Sequence, residues 1–435
     1  MSDLLPDDLV VPDDVVVRDE APDALKPVSR KTPIALTAVG LFSLVVFGLL
    51  QEGGREITYR FSTGSDLLQI PDLTLPSKPT AIVLSVLALV LAAVSLALVQ
   101  RRRPAGAWLP SVFGLLVVLS LITWGAAGRG TVTLTGLLAG ALFLSIPLVF
   151  GALAGLLCER SGIINVAIEG QLLSGAFLAA AVGAITGTAY AGLVAAPVAG
   201  ALVGALLAFF AVRYLVDQII VGVVLNVLVI GLTGFVFSTV FSQNREVFGG
   251  VPRLPTIAIP LLSEIPVLGP VLFRQNVLVY IMYAVVIVLQ IMLFRSRWGL
   301  RVRAVGEHPK AADTVGIKVN RTRVRNTILG GAVAGLGGAF FTIAQGLAFG
   351  KEMTAGQGFI ALAAMILGRW SPRGALLAAL LFGFATNLQV FFGSINSPIP
   401  SQLLLMTPYV ATIIAVAGVV GRVRPPAAEG TPYVK

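Results

Sequence analysis

Three polar side chains interrupt an apolar stretch, CERSGIINVAIEGQLLSGAF, at residues 158–177. Asn165 and Glu169 are four residues apart, so a continuous helix would place them on one face, with an amide donor beside a carboxylate acceptor. Such a pair could hydrogen-bond a polar solute that carries hydroxyl or ring N–H groups. Gln171 follows on the same predicted span, and Asn226 lies on another. We therefore predict a substrate pathway that includes Asn165, Glu169, Gln171 and Asn226.

Two other interpretations of Glu169 remain open. The carboxylate could tie its helix to a neighbouring helix, because a polar group that faces lipid is costly. It could also relay protons in a secondary transporter, but no intramembrane Asp, Lys, Arg or His partner is apparent near it in the sequence. Asn387 and Gln389, on a late span, should likewise face the protein interior or an aqueous cavity.

Two places along the chain have the pattern of a broken helix. Ser161 and Gly162 precede the first polar segment, and Gly356 and Gly358 precede an apolar helix in TAGQGFIALAAMILG, residues 354–368. A broken helix presents its backbone dipole to a bound solute. Corresponding breaks in two halves of a chain are also a hint of inverted repeats.

Composition indicates the environment, membrane or water, in which these residues lie. Hydrophobic residues make up 56% of the 435, charged residues make up 12%, and mean hydropathy is +0.91, which is typical of a membrane protein. With about 20 apolar residues per span, we predict an all-α polytopic fold with about 10–12 transmembrane helices. The single cysteine, Cys158, excludes an intramolecular disulfide, and the single histidine, His308, excludes His-rich metal chemistry. No metal site is expected.

Apolar runs bounded by charges, proline or glycine predict about twelve spans. They cover residues 33–51, 79–100, 107–127, 133–157, 163–184, 189–212, 219–242, 276–294, 326–348, 356–370, 374–394 and 403–421. The formal charge of +10 is concentrated in alternate loops, so the positive-inside rule places those loops and both termini in the cytoplasm. The polar residues 1–32 also give no sign of a cleavable signal peptide.

Local composition divides the chain into four parts. Residues 1–32 form an acidic cytoplasmic tail, rich in Asp and Pro, that we expect to be disordered. Residues 33–130 are rich in Leu and Val and predict accessory transmembrane helices. Residues 131–421 carry Gly-rich helices that can approach closely, which indicates the transport core. Residues 422–435 form a C-terminal tail.

A basic loop at residues 295–325 separates two of the late spans. It holds nine Lys or Arg residues against two acidic residues. A proline and a later glycine predict a short surface helix within EHPKAADTVGI. An ordinary positive-inside loop would explain the charge alone. The more specific feature is the Glu-x-x-x-Ala-Ala-x-x-x-Gly spacing, formed by Glu307, Ala311, Ala312 and Gly316.

That spacing resembles the coupling loop by which membrane subunits of ABC importers dock into their ATPase subunits. Together with ERSGIINVAIEGQLLSGAF, it looks like the permeases of the branched-chain amino acid and simple-sugar family. Within that family it is similar to the nucleoside-type branch, in which an (E)RSG-x-x-N-x-x-x-EG element is characteristic. Asn165, Glu169 and Gly170 match that element residue by residue. LNV around Asn226 and GQGFIALAAMILG also fit, so the resemblance covers roughly residues 133–421.

The resemblance implies a division of labour among several chains. A solute-binding protein delivers substrate outside, and this chain lines the path with a second permease subunit, expected to be a different chain. ATPase subunits drive alternating access in a prokaryotic cell inner (plasma) membrane. Glu307, Ala311, Ala312 and Gly316 would couple this chain to the ATPase. The sequence lacks a GxxxxGK[ST] phosphate loop, so we expect a transport subunit and not an enzyme. No cofactor is expected, since ATP is bound by the partner. We expect membrane lipid to surround the chain, and we expect no nucleic acid among its partners.

The resemblance favours nucleosides as substrates, with related simple sugars as the second choice. Ring N–H groups of a nucleoside could donate to Glu169 while the ribose hydroxyls meet Asn165 or Asn226. A proton-coupled secondary transporter of a small polar solute is the main alternative. A membrane-embedded enzyme is disfavoured, because no convincing nucleophile–base pair is present. The outer loop at residues 243–275 could receive the binding protein or be a passive connector.

Overall fold

A computed structural model of the chain describes residues 31–64, 66–101, 103, 106, 108–400, 402–406 and 424–434. Nearly all of the predicted acidic tail and most of the predicted last span, residues 403–421, lie outside the described residues. Within these ranges, ten helices are long and apolar enough to cross a membrane. The prediction of an all-α polytopic protein with about 10–12 transmembrane helices is therefore confirmed.

The chain divides into two compact units, the first of which comprises the described residues up to Gly54 and Ser77–Trp124. Its helices are α1 (Lys31–Ser43), which continues as a π-helical turn at Leu44–Leu49, α2 (Ser77–Gln100) and α3 (Trp108–Gly125). A chain of buried hydroxyls joins these helices, because Ser85 Oγ on α2 lies 2.8 Å from Ser43 Oγ and 3.0 Å from Ser120 Oγ. The hydroxyls satisfy one another where neighbouring side chains are apolar.

The second unit comprises Arg55–Pro76 and Gly125–Lys435, and it contains two small sheets. The strands are β1 (Glu56–Arg60), β2 (Leu73–Pro76), β3 (Thr131–Thr133), β4 (Thr256–Ala258) and β5 (Arg274–Asn276). The first sheet has the strand order β2-β1-β3, in which β1 pairs antiparallel with β2 and parallel with β3. The second is an antiparallel pair of β4 and β5. A 3-10 turn at Leu262–Glu264 and a π-helical turn at Gly269–Phe273 lie between β4 and β5.

The remaining elements of the second unit are helices. They are α4 (Leu134–Glu159), α5 (Ile168–Thr186), α6 (Ala189–Ala208), α7 (Gln218–Val236), α8 (Arg245–Phe248), α9 (Val277–Arg295), α10 (Arg297–Glu307), α11 (Pro309–Thr314), α12 (Val319–Gly338), α13 (Gln357–Leu367) and α14 (Pro372–Ser394). Helices α6, α7 and α12 continue as π-helical turns at Phe209–Arg213, Phe237–Phe241 and Phe340–Ala344.

Helix α4 lies at the centre of this unit, since every residue from Ser145 to Glu159 is buried. Asn387 on α14 faces α4 and donates from Nδ2 to the Leu137 carbonyl at 2.8 Å. Helices α6 and α12 meet backbone to backbone: a Cβ on Gly200 would overlap the carbonyl oxygen of Gly331, and a Cβ on Gly331 would overlap that of Gly200. Small residues allow such an approach between membrane helices, which gains packing that lipid does not supply.

Replacing Gly200 by leucine should therefore destabilise the protein, whereas the same change at Gly234 should be tolerated. Apart from its chain neighbours and the backbone of its own helix, no atom of the described residues lies within 4 Å of a Cβ built on Gly234, which is also helical. Overpacking costs typically about 1–3 kcal/mol, and the obstacle at Gly200 is backbone that cannot rotate away. The thermal midpoint and the yield of detergent-purified protein measure this difference. Equal midpoints for the two variants would contradict the packing described.

The prediction that residues 356–370 form a complete membrane span is wrong. Helix α13 has only 11 residues, or about 16 Å of rise, against a bilayer core of about 30 Å. The residues before it, 345–356, are irregular. Gly346 and Gly356 in that segment have φ values of +73° and +81°, a conformation that favours glycine and stops the helix from extending toward its N-terminus.

Candidate functional site

The first predicted helix break is present at residues 160–167, which connect α4 to α5 without forming a helix. Gly162 has a φ of +92°, in the left-handed region that favours glycine. A Cβ at this position would also meet Nη2 of Arg323 at 2.8 Å and the carbonyl oxygen of Ala428 at 3.2 Å. Backbone conformation and close packing therefore both require glycine at the break.

Asn226, on α7, holds the segment that follows the break. Its Oδ1 accepts a hydrogen bond from the Gly170 N–H at 2.8 Å, and its Nδ2 donates to the Val166 carbonyl at 2.9 Å. Gln218, on the same helix, accepts from the Ile164 N–H at 2.7 Å. Backbone groups freed by a helix break within a membrane need such partners. Both polar atoms of the Asn226 side chain are thus hydrogen-bonded to the backbone of this segment.

Asn165 pairs with Gln171. Asn165 Nδ2 donates to Gln171 Oε1 at 3.0 Å, and Gln171 Nε2 donates to Asn165 Oδ1 at 3.3 Å. Both side chains are fully buried, and Asn165 Nδ2 also lies 3.4 Å from Cys158 Sγ. The prediction that Asn165 and Glu169 share a helical face is wrong, because α5 begins only at Ile168 and Asn165 precedes it.

Glu169 reaches across to the second predicted helix break. Its Oε1 accepts hydrogen bonds from Thr354 Oγ1 at 2.6 Å and from the Gly356 N–H at 2.8 Å, and its Oε2 accepts from the Gly358 N–H at 2.6 Å. These two glycines flank Gln357, the first residue of α13. The carboxylate therefore lies at a helix N-terminus, where unpaired N–H groups and the helix dipole attract an anion. We call this set of Glu169, Thr354, Gly356 and Gly358 the Glu169 clamp.

The Glu169 clamp fastens α5 to α13 at the points where each helix begins. The Glu169 side chain is only 6% exposed, so the cost of burying its charge must be offset by the hydrogen bonds that it accepts. A Cβ on Gly358 would lie 2.5 Å from the Glu169 nitrogen, which explains the glycine there. The sequence alone did not reveal Thr354 as a partner, because 185 residues separate it from Glu169.

The four residues predicted for the substrate pathway come together around the first break, and each bonds within the protein. Their exposed fractions are 0–6%. Gln357, beside the clamp, differs: its Oε1 is buried and has no hydrogen-bond partner among the residues that the structure describes. In this conformation the arrangement holds two broken helices together, and the buried Gln357 Oε1 has no partner among the described residues.

The predicted surface helix in the basic loop is α11. Gly316 follows its end with a φ of +82°. The Gly316 N–H donates to the Asp313 carbonyl at 2.9 Å, and the Ile317 N–H donates to the Ala312 carbonyl at 3.0 Å. This pattern is a glycine-terminated helix end, as the sequence predicted.

The four residues predicted for ATPase coupling differ in exposure. Glu307, Ala311 and Gly316 are exposed, whereas Ala312 is buried against the protein itself. Glu307 Oε1, at the end of α10, lies 3.9 Å from a guanidinium nitrogen of Arg160, at the start of the first helix break. This ion pair connects α10 to the break. Burial lowers the pKa of Arg160, and the Glu307 carboxylate opposes that shift.

A cleft of about 650 Å³ lies beside α11. Among the described residues that line it, five are cationic and none is acidic; the cations are Arg297, Arg301, Lys318, Arg321 and Arg325. Clustered charge of one sign produces a strong local potential. This face of the loop therefore suits an acidic partner surface.

These features define a polytopic membrane protein whose core is joined at two broken helices. The family described as branched-chain amino acid transport system / permease component matches residues 137–417. Three similar proteins are also named as ABC transporter permease proteins. The guanosine ABC transporter permease protein NupQ of Bacillus subtilis (strain 168) is 38% identical over 304 residues, 68% of this chain and 95% of the relative. The nucleoside ABC transporter permease protein NupC of Lactococcus lactis subsp. cremoris (strain MG1363) is 39% identical over 312 residues, 70% of this chain and 98% of the relative.

The third relative is the putative glucose ABC transporter permease protein TsgC13 of Haloferax volcanii, 32% identical over 297 residues, 64% of this chain and 89% of the relative. No solved structure matches the chain. The chain belongs to the branched-chain amino acid transport system permease family, and the resemblance predicted from its two motifs is confirmed.

Proposed function

We propose that this chain is the permease subunit of an ABC importer that carries nucleosides. The observation that supports this most directly is the Glu169 clamp, because it is built from the EG element that predicted the nucleoside branch. The two relatives with 38–39% identity are named as guanosine and nucleoside permeases. A glucose permease is the more distant relative, so a simple sugar is the second substrate class to test.

The clamp has a mechanical role in this proposal. ATP-driven movement of the partner subunits displaces α11, and α10 carries the movement to the first break through Glu307 and Arg160. Helices α5 and α13 then move together, because the Glu169 carboxylate fastens one to the other. Such a connection would let the two discontinuous helices move as one body during alternating access.

Gln357 is the group that we propose for solute contact. Its free Oε1 can accept a ring N–H or a hydroxyl, and it lies next to the clamp that moves. Further along α5, Phe177 stacks on Phe241 with ring centroids 5.1 Å apart. Aromatic faces of this kind suit a planar base. Glu169 and Asn226 shape the pathway by holding its backbone, and Asn165 and Gln171 do so by pairing with each other.

The proposed partners follow from family membership and charge. ATPase subunits would dock at α11 and the basic cleft, a second and different permease chain would complete the path, and a solute-binding protein would bind on the other side, where residues 243–275 lie in the predicted topology. Both termini and the basic loop would be cytoplasmic. ATP would be bound by the ATPase subunits.

Labelled guanosine, adenosine, uridine, ribose and glucose should be offered to vesicles that carry this chain, the ATPase and the permease encoded beside it, with the binding protein outside. We expect nucleoside uptake that requires hydrolysable ATP. We also expect Gln357→Ala to raise the nucleoside KM about tenfold, the effect of losing roughly one hydrogen bond to a buried polar group.

Three results separate this proposal from its rivals. Uptake of ribose or glucose alone would assign the sugar branch to the same machine. Uptake that is driven by a proton gradient without ATP would replace the importer by a secondary transporter. An unchanged KM in the Gln357→Ala variant would remove Gln357 from the solute contact while leaving the permease assignment standing.

A further inference from the structure

The final described segment, residues 424–434, packs onto α10. The Ala428 N–H donates to the Gly306 carbonyl at 2.8 Å, and the Ala427 N–H donates to Glu307 Oε2 at 3.2 Å. Gly306 and Glu307 are the last two residues of α10, and only His308 separates them from α11. We call residues 424–434 the C-terminal strap. Its first contact is thus with the predicted coupling loop.

The strap also contacts the first helix break. The Gly430 N–H donates to the Gly162 carbonyl at 3.3 Å. Arg323, near the start of α12 and only 2% exposed, donates from Nη1 to the Thr431 carbonyl at 2.8 Å. Removing the strap would take this acceptor from a buried guanidinium, which is costly. The strap therefore joins three places: the end of α10, the break at residues 160–167, and α12.

An aromatic anchor fixes the end of the strap. Tyr433 is 9% exposed and packs in an apolar cluster with Val305, Ala312 and Val319. Ala312 is the residue of the coupling spacing that faces inward, and Tyr433 belongs to the cluster that buries it. A buried aromatic contributes a large part of the energy of a small cluster. This burial favours a strap that remains attached.

A pair of carboxyl groups lies along the same contact. The Glu429 side chain interacts electrostatically with the carboxyl of Glu159, the last residue of α4. Burial raises the pKa of the Glu429 carboxyl. The Glu159 carboxylate also accepts from Trp370 Nε1 at 2.6 Å, which extends the strap's connections to the residues between α13 and α14.

We propose that the C-terminal strap is a positioning element that links the coupling loop to the first helix break and transmits movement of the loop to the Glu169 clamp. The transport consequence rests on the proposed function, whereas the mechanical link does not. The strap contacts the end of α10, and the Gly430–Gly162 hydrogen bond holds it to the backbone of the first break. Residues on the strap are thus expected to affect coupling without touching substrate.

The first test uses Cys158, the only cysteine in the chain, as a reporter of the break. Cys158 is fully buried, and its carbonyl accepts hydrogen bonds from the Ser161 and Ile163 N–H groups. Loosening of the break should therefore raise the rate at which maleimide labels Cys158 in membranes. We expect Tyr433→Ala to raise that rate about tenfold or more, as expected when a local opening becomes easier.

The control is Val434→Ala, the neighbouring position, where the side chain is 68% exposed; its labelling rate should equal that of the wild type. A chain that lacks residues 424–435 should be labelled at least as fast as Tyr433→Ala. Unchanged labelling in Tyr433→Ala, with the chain inserted in the membrane, would overturn the link, whatever the transported substrate is.

The second test measures ATP hydrolysed per molecule transported in the assembled importer. If the strap transmits movement, Tyr433→Ala should keep basal ATPase activity but lose about tenfold in substrate-stimulated activity and uptake, while KM stays unchanged. A merely structural role would lower basal and stimulated activity together, in proportion to the protein present. A rise in basal ATPase on strap removal would identify an inhibitory latch and overturn the proposal.

Discussion

Replacing Glu169 by alanine is expected to reduce uptake at least tenfold and to lower the thermal midpoint of the purified protein. The change leaves Thr354 Oγ1 and the N–H groups of Gly356 and Gly358 without the acceptor that they now share. Each unsatisfied buried donor costs about 1–3 kcal/mol. Helix α13 should therefore separate from α5. Uptake in vesicles and thermal unfolding in detergent measure the two effects.

The Glu169→Gln variant distinguishes a clamp from a recognition group. An amide can keep the bonds at one oxygen but places an NH₂ group near the remaining N–H donor, so we expect an intermediate loss. In a clamp, the loss falls on the maximal rate for every substrate; in a recognition group, it falls on KM for nucleosides. Glu352→Gln, an exposed carboxylate on the adjoining irregular segment, is the matched control and should behave as wild type.

A double-mutant cycle isolates the bond across the two breaks. Thr354→Val removes the hydroxyl with little change in shape, so alone it should weaken the clamp by about one hydrogen bond. Because Glu169 and Thr354 are in contact, the combined loss of Glu169→Gln and Thr354→Val should be smaller than the sum of the single losses. Additive losses would show that the hydroxyl and the carboxylate act separately, contrary to the 2.6 Å contact.

Local features of the fold were predictable from the sequence because local physics determines them. Long apolar runs identify membrane helices, and ten of them are present within the described ranges. Gly162 and Gly356 were identified as break points, and both have the positive φ values that glycine allows. Gly316 was expected to end a surface helix, and it does. Each of these predictions depends on neighbours within a few positions.

The partners across long sequence separations were not predictable in the same way. The prediction that Asn165 and Glu169 share a face depended on a continuous helix. The helix break that the same sequence predicted begins before Asn165 and ends after it. The donors to Glu169 come from a segment about 190 residues away. The strap is farther still, since Thr431 and Arg323 are 108 positions apart. A single sequence records which groups need partners, but not which distant groups supply them.

Replacing Ala311 by tryptophan is the sharpest test of ATPase docking, and we expect it to abolish coupled ATPase stimulation and uptake. Ala311 is exposed on α11, so a large side chain there obstructs a partner without disturbing the packing of the chain itself. Interfaces depend on a few central positions, and a steric clash at one of them can cost tenfold or more in binding. Copurification of the ATPase and ATP-dependent uptake measure the loss.

Three companion variants separate docking from folding. Ala311→Ser should behave as wild type, because it keeps the small exposed side chain. Ala312→Trp should lower the thermal midpoint, since Ala312 is 3% exposed and lies in the cluster with Tyr433. Gly316→Pro should also perturb the loop, because proline requires a negative φ and removes the N–H that bonds to Asp313. If Ala311→Trp retained the ATPase and full uptake while Ala312→Trp lost both, the partner would bind elsewhere on the loop, and the basic cleft beside α11 would be the surface to mutate next.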